Sequence, residues 1–97
     1  MAKLYKNKSN NIDYFIINLE ELLEYNKLDF SICGECLKEL SFNENLILIP
    51  ILNEVYCEKC GYSQIERMHD YIEDRPIQTK RTEFYRNFFK SINRLEE

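Results

Sequence analysis

Cys33, Cys36, Cys57 and Cys60 are the only cysteines in the chain, and they fall as C-x2-C-x20-C-x2-C. Two C-x-x-C pairs at this separation suit a tetrahedral zinc site with four thiolate ligands. Each pair bends into a knuckle whose backbone amides point at the sulfurs, and two knuckles supply four thiolates at about 2.3 Å from the metal. Gly61, directly after Cys60, is expected to ease a left-handed turn at the second knuckle, and Leu37 stands where a glycine is expected at the first. The expectation is one structural zinc ion per chain, held by Cys33, Cys36, Cys57 and Cys60. Four cysteines close the coordination shell, whereas a catalytic zinc keeps an open position. Disulfides belong to secreted chains, a redox C-x-x-C to a thioredoxin-like setting, and iron–sulfur clusters to other usual spacings.

Little else is equipped for catalysis. His69 is the single histidine, and no glycine-rich phosphate loop or G-x-S-x-G elbow accompanies it. Asp70 and Asp74 share a helix face at i, i+4 but have no companions suited to general acid–base work. The chain is therefore expected not to be an enzyme. Charge supplies the remaining candidates. Residues 1–74 carry seven Lys or Arg against fourteen Asp or Glu, and residues 75–97 carry six against three. That balance disfavours a uniformly basic nucleic-acid binder. Two patches are partner-binding candidates. Glu20, Glu21 and Glu24 form an acidic patch that would face a basic partner. Arg86, Lys90 and Arg94 lie along one side of a C-terminal helix, diluted by Glu83, and would touch phosphates or an acidic protein surface.

The elements that position these residues read as helix, zinc module, helix in a single domain. Ile12, Phe15, Ile16, Leu19, Leu22 and Leu23 fall at i, i+3, i+4, i+7, i+10 and i+11, an amphipathic stripe that predicts an N-terminal helix over 12–26. The zinc module spans 33–74. Within it Leu46-Ile47-Leu48-Ile49 is a continuous apolar run broken by Pro50, and the return through Val55-Tyr56 completes a pair of short strands. Burying Leu46 to Leu52 requires the flanking helices or a second subunit, so a homodimer through this run is one reading. Ser63 and Glu66 form a capping box that predicts a helix stopping before Pro76. A C-terminal helix over 80–95 places Phe84, Tyr85, Phe88, Phe89, Ile92 and Leu95 on one broad face.

Residues 33–72 resemble a treble-clef zinc finger: a knuckle, a hairpin, and a second knuckle running into a helix. The stretch Val55-Tyr56-Cys57-Glu58-Lys59-Cys60-Gly61-Tyr62 is similar to the second knuckle of GATA-type fingers. The resemblance rests on Cys33, Cys36, Cys57, Cys60 and Gly61. It implies a four-thiolate structural zinc in an α+β fold, with amphipathic helices flanking the module. In true GATA-type members it also implies DNA binding through the finger's helix and a basic tail. Here the segment after the second knuckle carries Glu66, Asp70, Glu73 and Asp74, which suits a DNA groove poorly. A zinc ribbon shares the cysteine pattern and is the alternative fold.

Length and composition bound the rest. The chain has 97 residues, 44% hydrophobic, with seven Tyr, six Phe and a formal net charge of -4. A chain so short buries a marginal core, and about 10–16 kcal/mol of zinc binding supplies the missing stability. No apolar stretch approaches the roughly 18 residues of a membrane span, and the N-terminus has no secretory pattern. The expectation is a cytoplasmic protein of a bacterial cell or an infected host. Eleven Ile and ten Asn against one Ala are residues of AT-rich codons, which points to a low-GC bacterium or its phages and plasmids. The leading functional expectation is a small structural-zinc interaction protein that regulates or inhibits a macromolecular partner. In a mobile-element setting that partner is a nuclease or another nucleic-acid enzyme of the host, as for an anti-CRISPR. The alternative is a nucleic-acid-binding transcriptional regulator that uses the C-terminal basic helix.

Overall fold

The run Ile12-Asp13-Tyr14-Phe15-Ile16-Ile17 satisfies two periodicities at once, and in three dimensions the period of two wins. The computed structural model describes residues 1–22 and 32–96. In it Ile12–Ile17 is a strand, β2, paired antiparallel with β1 (Ala2–Asn7) on one side and with β3 (Leu46–Ile49) on the other. The expected N-terminal helix over 12–26 is thereby corrected. Only Leu19–Leu22 is helical (α1), and 23–26 lies outside the described residues. The cause is physical. A β-branched and aromatic strand with apolar neighbours on both faces is apolar at nearly every position, so it also matches helical spacings.

β4 (Glu54–Cys57) pairs antiparallel with β3, and β5 (Leu95–Glu96) pairs parallel with β1. One five-stranded sheet results, in the order β4-β3-β2-β1-β5. α2 (Glu58–Arg67) follows β4 without a break, and α3 (Arg75–Ser91) follows a 3-10 turn at Ile72–Asp74. The class is α+β, as expected, but the N-terminal residues are strands of the same sheet rather than a helix beside a zinc module.

Register assigns the faces. Phe15 lies opposite Leu48, which lies opposite Val55, and on this face Phe89 of α3 packs on Phe15 with ring centroids 5.3 Å apart. Ile16, Ile47 and Tyr56 share the other face, where Gly61 of α2 sits directly on Ile47. With a helix on each side, Leu46 to Pro50 are fully buried within the chain, and Ile51 and Leu52 are half-buried.

Three further boundaries depart from expectation. α2 begins at Glu58 with Cys57 as its N-cap, so Ser63 and Glu66 are exposed interior positions rather than a capping box. The same helix ends at Arg67, where Asn10 donates through Nδ2 to the carbonyls of Ile65 at 2.8 Å and Met68 at 3.0 Å. Pro76 therefore does not follow a helix but sits in the first turn of α3, where its missing N–H costs nothing. The expected C-terminal helix over 80–95 starts earlier and stops at Ser91, because Asn93 takes a left-handed φ of 57° and turns the chain into β5.

α3 is anchored by polar groups as well as rings. Gln78, Thr82, Tyr85 and Phe89 form its buried stripe. The Asp13 amide donates to Gln78 Oε1 at 3.0 Å, and Thr82 Oγ1 donates to Asp13 Oδ2 at 2.9 Å. Lys6 closes the network with Nζ 2.7 Å from Asp13 Oδ1.

Candidate metal centre

The first knuckle is a tight turn following a single bridge. Ile32 pairs with Glu39, the Cys33 amide donates to the Lys38 carbonyl at 2.9 Å, and the Leu37 amide donates to the Cys33 carbonyl at 3.1 Å. Closing this turn requires a φ of 64° at Leu37, the left-handed value for which a glycine was expected there. The second pair lies where strand becomes helix. Cys57 ends β4 and caps α2, and Cys60 occupies the first turn of α2. No glycine has a positive φ, so Gly61 does not ease a left-handed turn. It allows α2 to approach Ile47 instead.

Backbone contacts bring the two pairs together. The Gly34 amide donates to the Val55 carbonyl at 2.9 Å, which lays the first knuckle along the outer edge of β4. The Cys57 amide donates to Cys33 Sγ at 3.3 Å and the Glu35 amide to the same sulfur at 3.5 Å. The four sulfurs of Cys33, Cys36, Cys57 and Cys60 all lie within 4.8 Å of one another, with Cys33 and Cys57 buried and Cys36 exposed. Sulfurs around a tetrahedral metal at about 2.3 Å are separated by roughly 3.8 Å, so this cluster is compact enough to close on one ion. The donor set is all thiol, which selects a thiophilic cation. Four cysteines here are positioned to hold one metal ion.

The electrostatics favour thiolate at the buried end. Burial pushes the Cys33 thiol up, but the amides of Cys57, Glu35 and Cys36 outweigh it and hold the group at about 6, below its ordinary 9.0. The Cys60 thiol, hydrogen-bonded to Cys57 and further raised by burial and by Cys36 and Cys33, is pushed up to about 12. Negative charge is thus easily accommodated at Cys33 and opposed at Cys60 until a cation arrives. The N-terminal end of α2 adds favourable dipole at Cys57 and Cys60. Nearby, burial together with Glu54 and Glu35 pushes the Tyr56 phenol up to about 12.

The other sequence candidates do not gather at this site. His69 is exposed and stacks edge-on with Tyr71, at 6.2 Å between centroids. Among the described residues, the four cysteines are the only group able to hold a metal. Glu20 and Arg94, assigned by sequence to two different patches, face each other with Oε1 and Nη2 3.6 Å apart. Glu21 falls in α1, and Glu24 lies outside the described residues. Arg86 and Lys90 remain on α3, with Arg86 Nη1 3.5 Å from Glu83 Oε1, while Arg94 lies beyond the helix end. The aromatic face is narrower than expected: Tyr85 and Phe89 are buried, and Phe84 is half exposed. Asn10 and Asp13 read in the sequence as the cap and first turn of the expected N-terminal helix, whereas they bond the end of α2 and the buried side of α3; Gln78 and Thr82 fall at i, i+4 in register with Tyr85 and Phe89.

No protein family, no curated protein and no solved structure matches this chain. No helix among the described residues is long and apolar enough to cross a membrane.

Proposed function

We propose that this chain is a small zinc-stabilised interaction protein of treble-clef type that regulates or inhibits a protein partner. The observation that supports it most directly is the closed ligand set. Four thiols from a knuckle and from a helix N-terminus converge within 4.8 Å, and four thiolates leave a tetrahedral zinc no open position for substrate. The order of knuckle, β3–β4 hairpin and α2 carrying the second pair is that of a treble clef. When bound, the zinc crosslinks two segments far apart in sequence and fixes the surface they carry. It does no chemistry of its own in this reading. The net charge of -4 favours a partner with a basic surface, and a nucleic-acid enzyme of the host, such as a nuclease blocked by a phage-encoded inhibitor, is the leading class.

Native mass spectrometry of the protein purified untagged from its own cells, with metal analysis of the same sample, tests both halves. One zinc per chain together with a co-purified protein supports the proposal. Cysteines oxidised in pairs without metal, or nucleic acid as the sole companion, overturns it.

A further inference from the structure

β1 is an edge strand over most of its length. Its neighbour β5 has only two residues, paired as Ala2↔Leu95 and Lys3↔Glu96. The Ala2 amide points outward, donating to the Arg94 carbonyl. Backbone groups alternate along an antiparallel strand, so Leu4 and Lys6 also point theirs away from β2. Beyond β5, the N–H and C=O of Lys6 have no hydrogen-bond partner among the described residues. The opposite edge of the sheet differs, because Gly34 and Cys33 of the first knuckle cover β4.

We propose that the open edge of β1 beyond β5 docks an extended acidic segment of the partner, which adds to the sheet as a further strand. The inference rests on the protein-partner reading above and adds a second contact to it: residues 1–12 are a local basic exception on a chain of net charge -4, so this acidic segment is distinct from the basic surface that the net charge favours. Three observations on the edge select an acidic strand. Residues 1–12 contain Lys3, Lys6 and Lys8 and no acidic residue. The strand that already lies on this edge presents Glu96 to Lys3 in register. A groove of about 410 Å3, lined by Lys3, Leu4, Arg86, Leu95 and Glu96, borders the strand, with an apolar wall from Leu4 and Leu95 and Arg86 beside it to receive alternate side chains. On the other face Tyr5 stacks on Tyr14 at 5.4 Å, with Lys3 Nζ 5.4 Å from the Tyr5 centroid. A second copy of the chain is disfavoured as occupant, because its own β1 edge brings Lys3, Lys6 and Lys8 and no carboxylate to the pairing.

The test is calorimetric titration of the zinc-bound full chain with three probes: a short peptide alternating Glu and Val, its Lys and Val counterpart, and single-stranded oligothymidylate. Hydrogen exchange of the complex is read alongside. The expected result is saturable binding of the Glu peptide alone, new protection of the Lys6 amide, and a loss of about tenfold or more on Lys3→Glu plus Lys8→Glu. That variant leaves the Lys6–Asp13 pair in place, and its thermal unfolding confirms that the fold persists. Equal binding of the Lys peptide, preference for the oligonucleotide, no binding of the Glu peptide, or binding without protection at Lys6 overturns the proposal. These outcomes leave the metal content and the co-purified partner untouched, so the docking edge and the wider reading fail separately.

Discussion

A Cβ placed on Gly61 would lie 2.3 Å from Cβ of Ile47 and 2.4 Å from its Cγ1. Both are stiff positions, one on the helix that carries Cys60 and the other on the fully buried β3, so neither can yield cheaply. Gly61→Ala is expected to destabilise the fold by about 2–3 kcal/mol and to weaken metal binding, because α2 must move off the sheet and carry Cys60 with it. Gly34→Ala is the control. Its Cβ would meet the Glu54 carboxylate at 2.5 Å and Tyr56 Cε1 at 3.2 Å, and the Glu54 side chain can swing away. Thermal unfolding of both zinc-bound variants checks the order, with Gly61→Ala clearly the lower.

How much of this was legible beforehand differs from element to element. The metal site was written in spacing alone, since C-x-x-C pairs fix local turns whatever surrounds them. Even the left-handed residue at Leu37 could be located from the place where a glycine was missing. β2 was not legible, because a strand with apolar neighbours on both faces carries no alternation to distinguish it from a helix. Ser63 was misleading for another reason. Its capping box is a local signal, and it was overridden by Cys57, whose position at the end of β4 starts the helix six residues earlier. The pairing of Glu20 with Arg94 depends on β5 returning beside β1, a long-range relation that no window of sequence contains.

Leu37 combines a φ of 64° with a side chain 73% exposed. A left-handed residue with a Cβ costs about 1–2 kcal/mol, and glycine avoids this at an entropic cost of roughly 0.5–1 kcal/mol in the unfolded chain. Leu37→Gly is therefore expected to stabilise the zinc-bound protein by up to about 1 kcal/mol. Denaturant unfolding at fixed free zinc measures it, and a loss of stability would show that the leucine side chain contributes contacts that outweigh the strain.

Asp13 joins the β1–β2 hairpin to α3. It receives Thr82 Oγ1 at 2.9 Å and Lys6 Nζ at 2.7 Å while its own amide donates to Gln78. Asp13→Ala leaves Thr82 buried without its acceptor and should cost about 2–3 kcal/mol, against about 1–2 kcal/mol for Thr82→Val. The two losses should fall well short of additive in the double variant, since each removes the same hydrogen bond. Chemical denaturation of the four proteins completes the cycle, and strict additivity would place the hydroxyl and the carboxylate in separate roles.

Metal binding should be tightly coupled to pH, with a sign set by the two shifted thiols. Cys33 is held at about 6 against 9.0 unfolded, so its thiolate stabilises the metal-free fold fully above about 9, and that contribution disappears as pH falls through about 6. Cys60 acts in the opposite sense. Held up at about 12 against 9.0, its protonated form stabilises the metal-free fold at and below 9, and the contribution is lost as pH rises toward 12. Zinc requires all four sulfurs deprotonated, so at neutral pH it must displace the Cys60 proton while Cys33 has largely surrendered its own. The expected outcomes are net proton release on zinc binding, read from the buffer dependence of calorimetric heats, and an affinity that rises steeply with pH in chelator competition. Cys33→Ser should lower zinc affinity most at mildly acidic pH, where the wild-type chain still offers the Cys33 thiolate. Cobalt substitution supplies an independent reading: tetrahedral thiolate absorption should appear in the wild type and weaken in Cys33→Ser and Cys60→Ser alike. Zinc binding without proton release would mean that the cluster does not close around the ion through all four cysteines.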